Sequence, residues 1–225
     1  MRRLIVSSFV SLDGVIEAPM TWASPFFVGE NVDHALRALS NVEFFLLGRA
    51  TYEMFFARWP GTKGPYMDRI NGLKKLVAST TLKTVSWNAA LIEGDVAEAL
   101  AALKRQPGGD ILKYGVSQLD RTLLSTGLVD EYHLSIVPTW VGQGKRAFDD
   151  VGPIDLELVD INRFANGVVT LTYVPRLTSR SANPPTRHEA CGSGLSPTAC
   201  STCAMPRSWR RFRICAPGCI AIAPA

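Results

Sequence analysis

Two short turns carry residue types that suit a phosphate-bearing ligand. The first is Gly48-Arg49-Ala50-Thr51, which follows an apolar run at residues 42–47. The second is Gly115-Val116-Ser117, which follows a shorter run at residues 111–114. A glycine lets backbone approach a bound group closely. The free N–H groups that open the following helix favour an anion, and a Thr or Ser hydroxyl adds a donor. Two such turns at the ends of strands in one sheet would cradle a pyrophosphate. Neither has the Gly-x-Gly-x-x-Gly spacing of a Rossmann turn. No Ser-His-Asp arrangement and no histidine cluster stands beside them, so hydrolytic and metal chemistry are not indicated.

The five cysteines could suggest metal, but all lie late in the chain, at Cys191, Cys200, Cys203, Cys215 and Cys219. Cys200 and Cys203 have ligand-pair spacing, and the second pair is looser. The surrounding segment, residues 177–225, holds six arginines, one acid, no lysine and six of the 14 prolines, with no hydrophobic period. Such a composition buries too little apolar surface to offset its ordering entropy. We expect a disordered tail with no metal site. Its Arg, Pro, Ser and Cys content is also what an out-of-frame translation of GC-rich DNA yields. The net charge of +4 belongs to this tail, because residues 1–176 carry 18 basic and 19 acidic side chains. A polyanion-binding role for the body, and with it a nucleic-acid partner, is therefore not expected. No apolar run approaches the ~18 residues of a membrane span. The start, Met1-Arg-Arg-Leu-Ile-Val6, reads as a first strand of a cytoplasmic protein rather than a signal peptide.

The elements that must position the two turns follow from periodicity and punctuation. Strands are expected at 3–10, 42–47, from 74 to 78, at 111–114 and around 132–136. Two more, at about 155–163 and 168–174, are joined by Asn166-Gly167, a strong hairpin signal. Helices are expected near 29–40 and at 49–58, the latter stopped by Pro60-Gly61. A third starts at Asp95, with Glu98 at capping-box spacing. A fourth starts at Ser117, with Asp120 at the same spacing, and ends at Gly127. Strands alternating with helices and closing on a hairpin imply an α/β domain whose sheet is mostly parallel with an antiparallel edge. Ligands in such sheets lie outside the carboxyl ends of the strands.

Several stretches carry a family resemblance. Gly48-Arg-Ala-Thr-Tyr-Glu53 resembles the Gly-Arg-x-Thr turn of dihydrofolate reductases. Ser11-Leu-Asp-Gly14 resembles the opening motif of the reductase domain in the bifunctional riboflavin-biosynthesis deaminase-reductase. Gly115-Val-Ser-Gln-Leu, Gly127-Leu-Val-Asp-Glu131, Pro138 and Gly142-Gln-Gly-Lys-Arg-Ala-Phe148 fall in the order of that family. The chain is similar to its stand-alone members over about residues 1–176, and no deaminase half is present.

The resemblance implies a dihydrofolate-reductase-like three-layer fold at 1–176 and NADPH as cofactor. Gly48, Arg49 and Thr51 would lie along the adenosine end, with Gly115, Val116 and Ser117 at the pyrophosphate. Ser79 and Thr80 match the position that recognises the 2′-phosphate. Asp13 is the candidate catalytic acid, and Trp22 the candidate to stack on a planar substrate. Glu131 is expected to open a strand, and His133 and His34 to pack. The family reduces the ribosyl group of a pyrimidine phosphate, as 5-amino-6-(5-phosphoribosylamino)uracil reductase of riboflavin biosynthesis does. It carries a glutamate where this chain has Lys113, and usually a glycine where this chain has Tyr114. The expected activity is reduction of a small heterocyclic or pterin-like substrate by a homodimer. The alternatives are a dihydrofolate reductase and a non-catalytic NADPH-binding protein.

Overall fold

The computed structural model describes residues 1–149 and 151–176; the expectations for the tail, zinc spacing included, lie outside these residues. Eight strands form one sheet: β1 (Leu4–Ser11), β2 (Val42–Gly48), β3 (Lys74–Ala78), β4 (Ala89–Leu91), β5 (Asp110–Tyr114), β6 (Glu131–Val137), β7 (Asp155–Arg163) and β8 (Val169–Arg176). Their order is β4-β3-β2-β5-β1-β6-β8-β7. The six strands from β4 to β6 run parallel, and β8 and β7 close the sheet antiparallel.

The central strands are buried on both faces, which is why their sequences read as apolar runs rather than strict alternation. Leu4, Val6, Val10, Leu46 and Ile111 point to one face. There they meet Leu100 of α5 (Val96–Arg105) and Leu123 of α6 (Gln118–Ser125). Ile5, Phe45, Leu47 and Leu112 point to the other face. There they meet Tyr52 and Phe55 of α3 (Arg49–Phe56) and Ile70 of α4 (Pro65–Gly72). Leu39, just past α2 (Glu30–Ala38), completes that layer. The result is helices on both sides of a sheet, three layers in all.

The expected caps form. Asp95 accepts a hydrogen bond from the Glu98 amide at 2.9 Å, and Asp120 accepts one from the Ser117 amide at 2.7 Å. The hairpin turns at Gly167, whose φ of 87° is one that glycine adopts without strain. Four elements were not expected from the sequence: α1 (Pro19–Trp22), a 3-10 turn at Ser24–Phe26, α4 and the three-residue β4. The α4 segment buries one residue, Ile70, so it shows no apolar period. Its Gly64-Pro65 start looks like a loop signal, although proline at the first helical position is favourable.

The amino ends of the strands are fastened by charge. Arg3 bonds Asp110 at 2.7 Å and Glu131 at 2.8 Å, Lys104 pairs with Asp130, and Arg2 pairs with Glu43. Glu131 thus opens β6 and ties it to β1, as expected. A cavity of about 320 Å³ opens at this end, lined in part by Asn41, Glu43, Arg69 and Lys74. Its charges are already used: Glu43 holds Arg2 and Lys74, and Arg69 donates to the carbonyls of Leu39 and Val42. That spent polarity directs the search for a site to the carboxyl ends.

Candidate functional site

At the carboxyl end of β5 the chain turns sharply at Gly115, with φ of 75°. The Gly115 amide donates to the Ser7 carbonyl of β1 at 2.8 Å, which fastens the turn to the middle of the sheet. A Cβ built on Gly115 would meet no protein atom within 4 Å. The glycine therefore faces open space rather than a packed neighbour. Beneath the turn lies a buried ion pair. Lys113 Nζ bonds Asp120 Oδ2 at 2.7 Å, with the two side chains 3% and 0% exposed. Lys113 also donates to the Gly115 carbonyl, and Tyr132 Oη reaches the other Asp120 oxygen at 3.5 Å. Burial lowers the Lys113 pKa, and Asp120 opposes that shift. Val116 turns its side chain into the core. The Ser117 amide, expected to face a ligand, is instead committed to Asp120.

The second turn sits at the end of β2. Gly48 caps α3 without a side-chain hydrogen bond, and a Cβ there would also meet nothing within 4 Å. The register of β2 on β3 sets Gly48 beside Ala78. This brings Arg49 to the residues after β3. Arg49 Nη1 donates to Thr81 Oγ1 at 2.8 Å, while its Nε donates to Glu53 at 3.1 Å. Ser79 Oγ accepts from the amides of Thr81 and Leu82 at 3.2 and 3.0 Å. Thr51 is half-buried in the first turn of α3 and Thr80 is exposed. The hydroxyl that meets Arg49 is thus that of Thr81, one residue beyond the pair singled out from the sequence.

Asp13 lies in the loop after β1. Its carboxylate accepts from Ser11 Oγ at 2.6 Å, from the Val141 amide at 3.1 Å and from the Gly142 amide at 2.8 Å. These bonds tie the β1 loop to the loop after β6. The Ser11 hydroxyl, with the two amides behind it, holds the Asp13 pKa down at about 2. Trp22 is half-buried against Ala23, Val137 and Val168, and its indole N–H donates to the Glu17 carbonyl at 2.9 Å. His133 contacts Glu131 at 2.8 Å, and His34 meets the Phe164 ring edge-on at 5.3 Å.

An aromatic wall that the sequence did not reveal runs along the same end. Phe9 of β1 meets Phe27 at 5.7 Å, and Phe27 meets Tyr66 of α4 at 5.1 Å. Tyr66 and Tyr114 share a hydroxyl–hydroxyl hydrogen bond of 2.6 Å. Burial raises the Tyr66 pKa to about 12 and lifts that of Tyr114 well above its ordinary value. Both hydroxyls are neutral at physiological pH, and one donates to the other. The wall escapes sequence analysis because its members come from four separate segments. Tyr114 immediately precedes Gly115, so the wall borders the phosphate-type turn.

A mostly parallel sheet closed by an antiparallel hairpin, with helices on both faces, is the dihydrofolate-reductase-like fold. The model of the RibD C-terminal domain matches residues 2–170, and the chain belongs to that family. It is 32% identical over 178 residues to the uncharacterized protein YyaP of Bacillus subtilis (strain 168), covering 76% of this chain and 94% of that protein. Among solved structures it resembles a Shewanella sp. PV-4 protein named for riboflavin biosynthesis. There the TM-score is 0.60 at 19% identity, over 77% of this chain and 99% of that one. It also resembles dihydrofolate reductase from Enterococcus faecalis complexed with NADP(H), with TM-score 0.50 at 16% identity, over 77% and 96% of the two chains. At these identities the structural likenesses establish the fold.

Proposed function

We propose that the chain is a cytoplasmic NADPH-dependent reductase of a small planar substrate, heterocyclic or pterin-like, as in the riboflavin-pathway reductases of its family. The observation that carries this reading is the pair of glycines, Gly48 and Gly115, facing open space at the carboxyl ends of β2 and β5, with Arg49 and Thr81 beside the first. Those residues suit the cofactor. Arg49, Thr81 and Ser79 would hold a 2′-phosphate, Gly48 and Thr51 the adenosine side, and Gly115 and Val116 the pyrophosphate. When bound, NADPH supplies a hydride; the chain's own groups bind, orient and manage the proton.

That proton is assigned to Tyr114. Asp13 is ionised and accepts from three donors on two loops, so it serves as a clasp between them and carries no proton to give. The neutral Tyr66–Tyr114 hydroxyl pair is a proton-bearing alternative on the aromatic wall. The second reading, a non-catalytic NADPH-binding protein, draws on the same commitment of Asp13. Consumption of NADPH, followed by loss of its near-ultraviolet absorbance with pyrimidine and pterin substrates, separates the two. Turnover that falls at least tenfold in Tyr114→Phe, with NADPH affinity unchanged, supports the reductase. Binding without turnover on any of these substrates supports the other.

A homodimer is proposed through β7, a sheet edge that exposes Leu158, Val159 and Ile161. Unpaired apolar edges of this kind pair with another chain. Sedimentation of wild type and Val159→Lys tests it: a dimer that the variant abolishes is expected, and a monomeric wild type refutes it.

A further inference from the structure

We propose that the buried Lys113–Asp120 ion pair is the positioning device of the cofactor turn: it orients the Gly115–Val116 peptide so that one backbone N–H faces the ligand. This rests on the NADPH reading above and extends it to residues that never touch the cofactor.

The argument starts from what a buried ion pair costs. Removing two charges from water is expensive, and an apolar pair of similar volume is often as stable or more so. A pair that is 3% and 0% exposed therefore has a weak claim to be kept for stability. Its position is more informative. Lys113 ends its side chain on two acceptors, Asp120 and the Gly115 carbonyl. Asp120 in turn accepts from the Ser117 amide. The pair thus grips the turn on both sides of Val116.

Planarity of the peptide does the rest. The C=O and N–H of one trans peptide unit point in opposite directions. With the Gly115 carbonyl drawn inward to Lys113, the Val116 N–H must point away from it, out of the core. The neighbouring amides are already spent, Gly115 on Ser7 at 2.8 Å and Ser117 on Asp120 at 2.7 Å. Among the described residues, the Val116 N–H alone in this turn lacks an acceptor. It stands next to Gly115, whose missing Cβ leaves open space. An outward N–H just ahead of a helix, beside an open glycine, is an anion donor with a fixed direction. Release of the pair would free the Gly115 carbonyl to flip outward, which would put an acceptor where the donor should be.

The single variant Lys113→Met leaves Asp120 buried and unpaired, and its unfolding would say nothing about the turn. The double variant Lys113→Met/Asp120→Leu removes both charges, keeps volume and leaves net charge unchanged. It also gives up the Ser117 cap and the Tyr132 contact, so it is expected to stay folded with a melting temperature moderately below wild type. Its dissociation constant for NADPH should rise about tenfold or more, the loss of one hydrogen bond to a charged group. Its affinity for adenosine 2′-monophosphate, which reaches only Arg49 and its neighbours, should stay within about twofold. A folded double variant that binds NADPH as the wild type does overturns the proposal. So does one that loses both ligands alike, because that is general damage, and so does one that fails to fold, because the pair then serves the core. Wild-type protein that does not bind NADPH overturns the cofactor reading first, a result distinct from all of these.

Discussion

Asp13 shows how residue type and residue role separate. An aspartate beside a glycine near a predicted nicotinamide site suggests an acid. In the fold its carboxylate accepts from Ser11 Oγ and two amides, and its pKa is held down at about 2. A depressed carboxylate contributes stability above its unfolded value of about 4 and loses it as pH falls through the folded value. Asp13→Asn should therefore lower the melting temperature at neutral pH, and the gap from wild type should close between about pH 4 and pH 2. A gap that persists at pH 2 would show that the clasp does not depend on the charge. The same reasoning says that Asp13 contributes no limb to an activity profile between about pH 5 and 8, where it stays ionised.

At the scale of elements, the β5–α6 unit carries most of the case. Gly115→Val places a β-branched residue at φ of 75°, at a cost of about 1–3 kcal/mol. Its side chain meets no protein atom and fills the space assigned to the cofactor. NADPH binding should be lost while the melting temperature falls only moderately. Normal affinity in the folded fraction would leave Gly115 as turn punctuation. The unit was partly legible in the sequence. Ser117 and Asp120 at capping spacing announced the helix, and residues 111–114 announced the strand. Lys113 was legible only as a departure from the family, because its role depends on an aspartate seven positions away, brought beneath the turn by helix geometry. That Arg49 meets Thr81 was not legible for a similar reason: its reach across the β2–β3 register decides which hydroxyl it bonds. The helix α4 and the Tyr66–Tyr114 contact were not legible at all, because that helix buries a single apolar residue and the two tyrosines are 48 positions apart.

For the whole molecule, the two ends of the sheet divide the labour. The amino ends of the strands are tied by Arg2, Arg3, Lys104 and their acids, while the carboxyl ends carry open glycines, hydroxyls and the aromatic wall. This polarity is what the strand–helix alternation predicts for a parallel sheet. Residues 1–176 hold every described element and the whole family match, which runs from residue 2 to residue 170. We accordingly propose them as the reductase domain. Truncation after Arg176 should leave melting temperature and NADPH affinity unchanged, and an unfolded product would place part of the core in the remaining chain.

The central claim is that this end of the sheet is an NADPH site read by its 2′-phosphate. Fluorescence titration of wild type and Arg49→Ala with NADPH and with NADH tests it most directly. A hydrogen bond to a charged group contributes about 1.5–3 kcal/mol, or roughly ten- to a hundredfold in affinity. The Arg49 side chain is 53% exposed, which places the expected loss near the lower bound. Wild type should prefer NADPH by about tenfold or more, and Arg49→Ala should lose about tenfold for NADPH while NADH stays within about twofold. Wild-type affinities that are equal for the two nucleotides, or an Arg49→Ala variant that weakens both equally, would contradict the account.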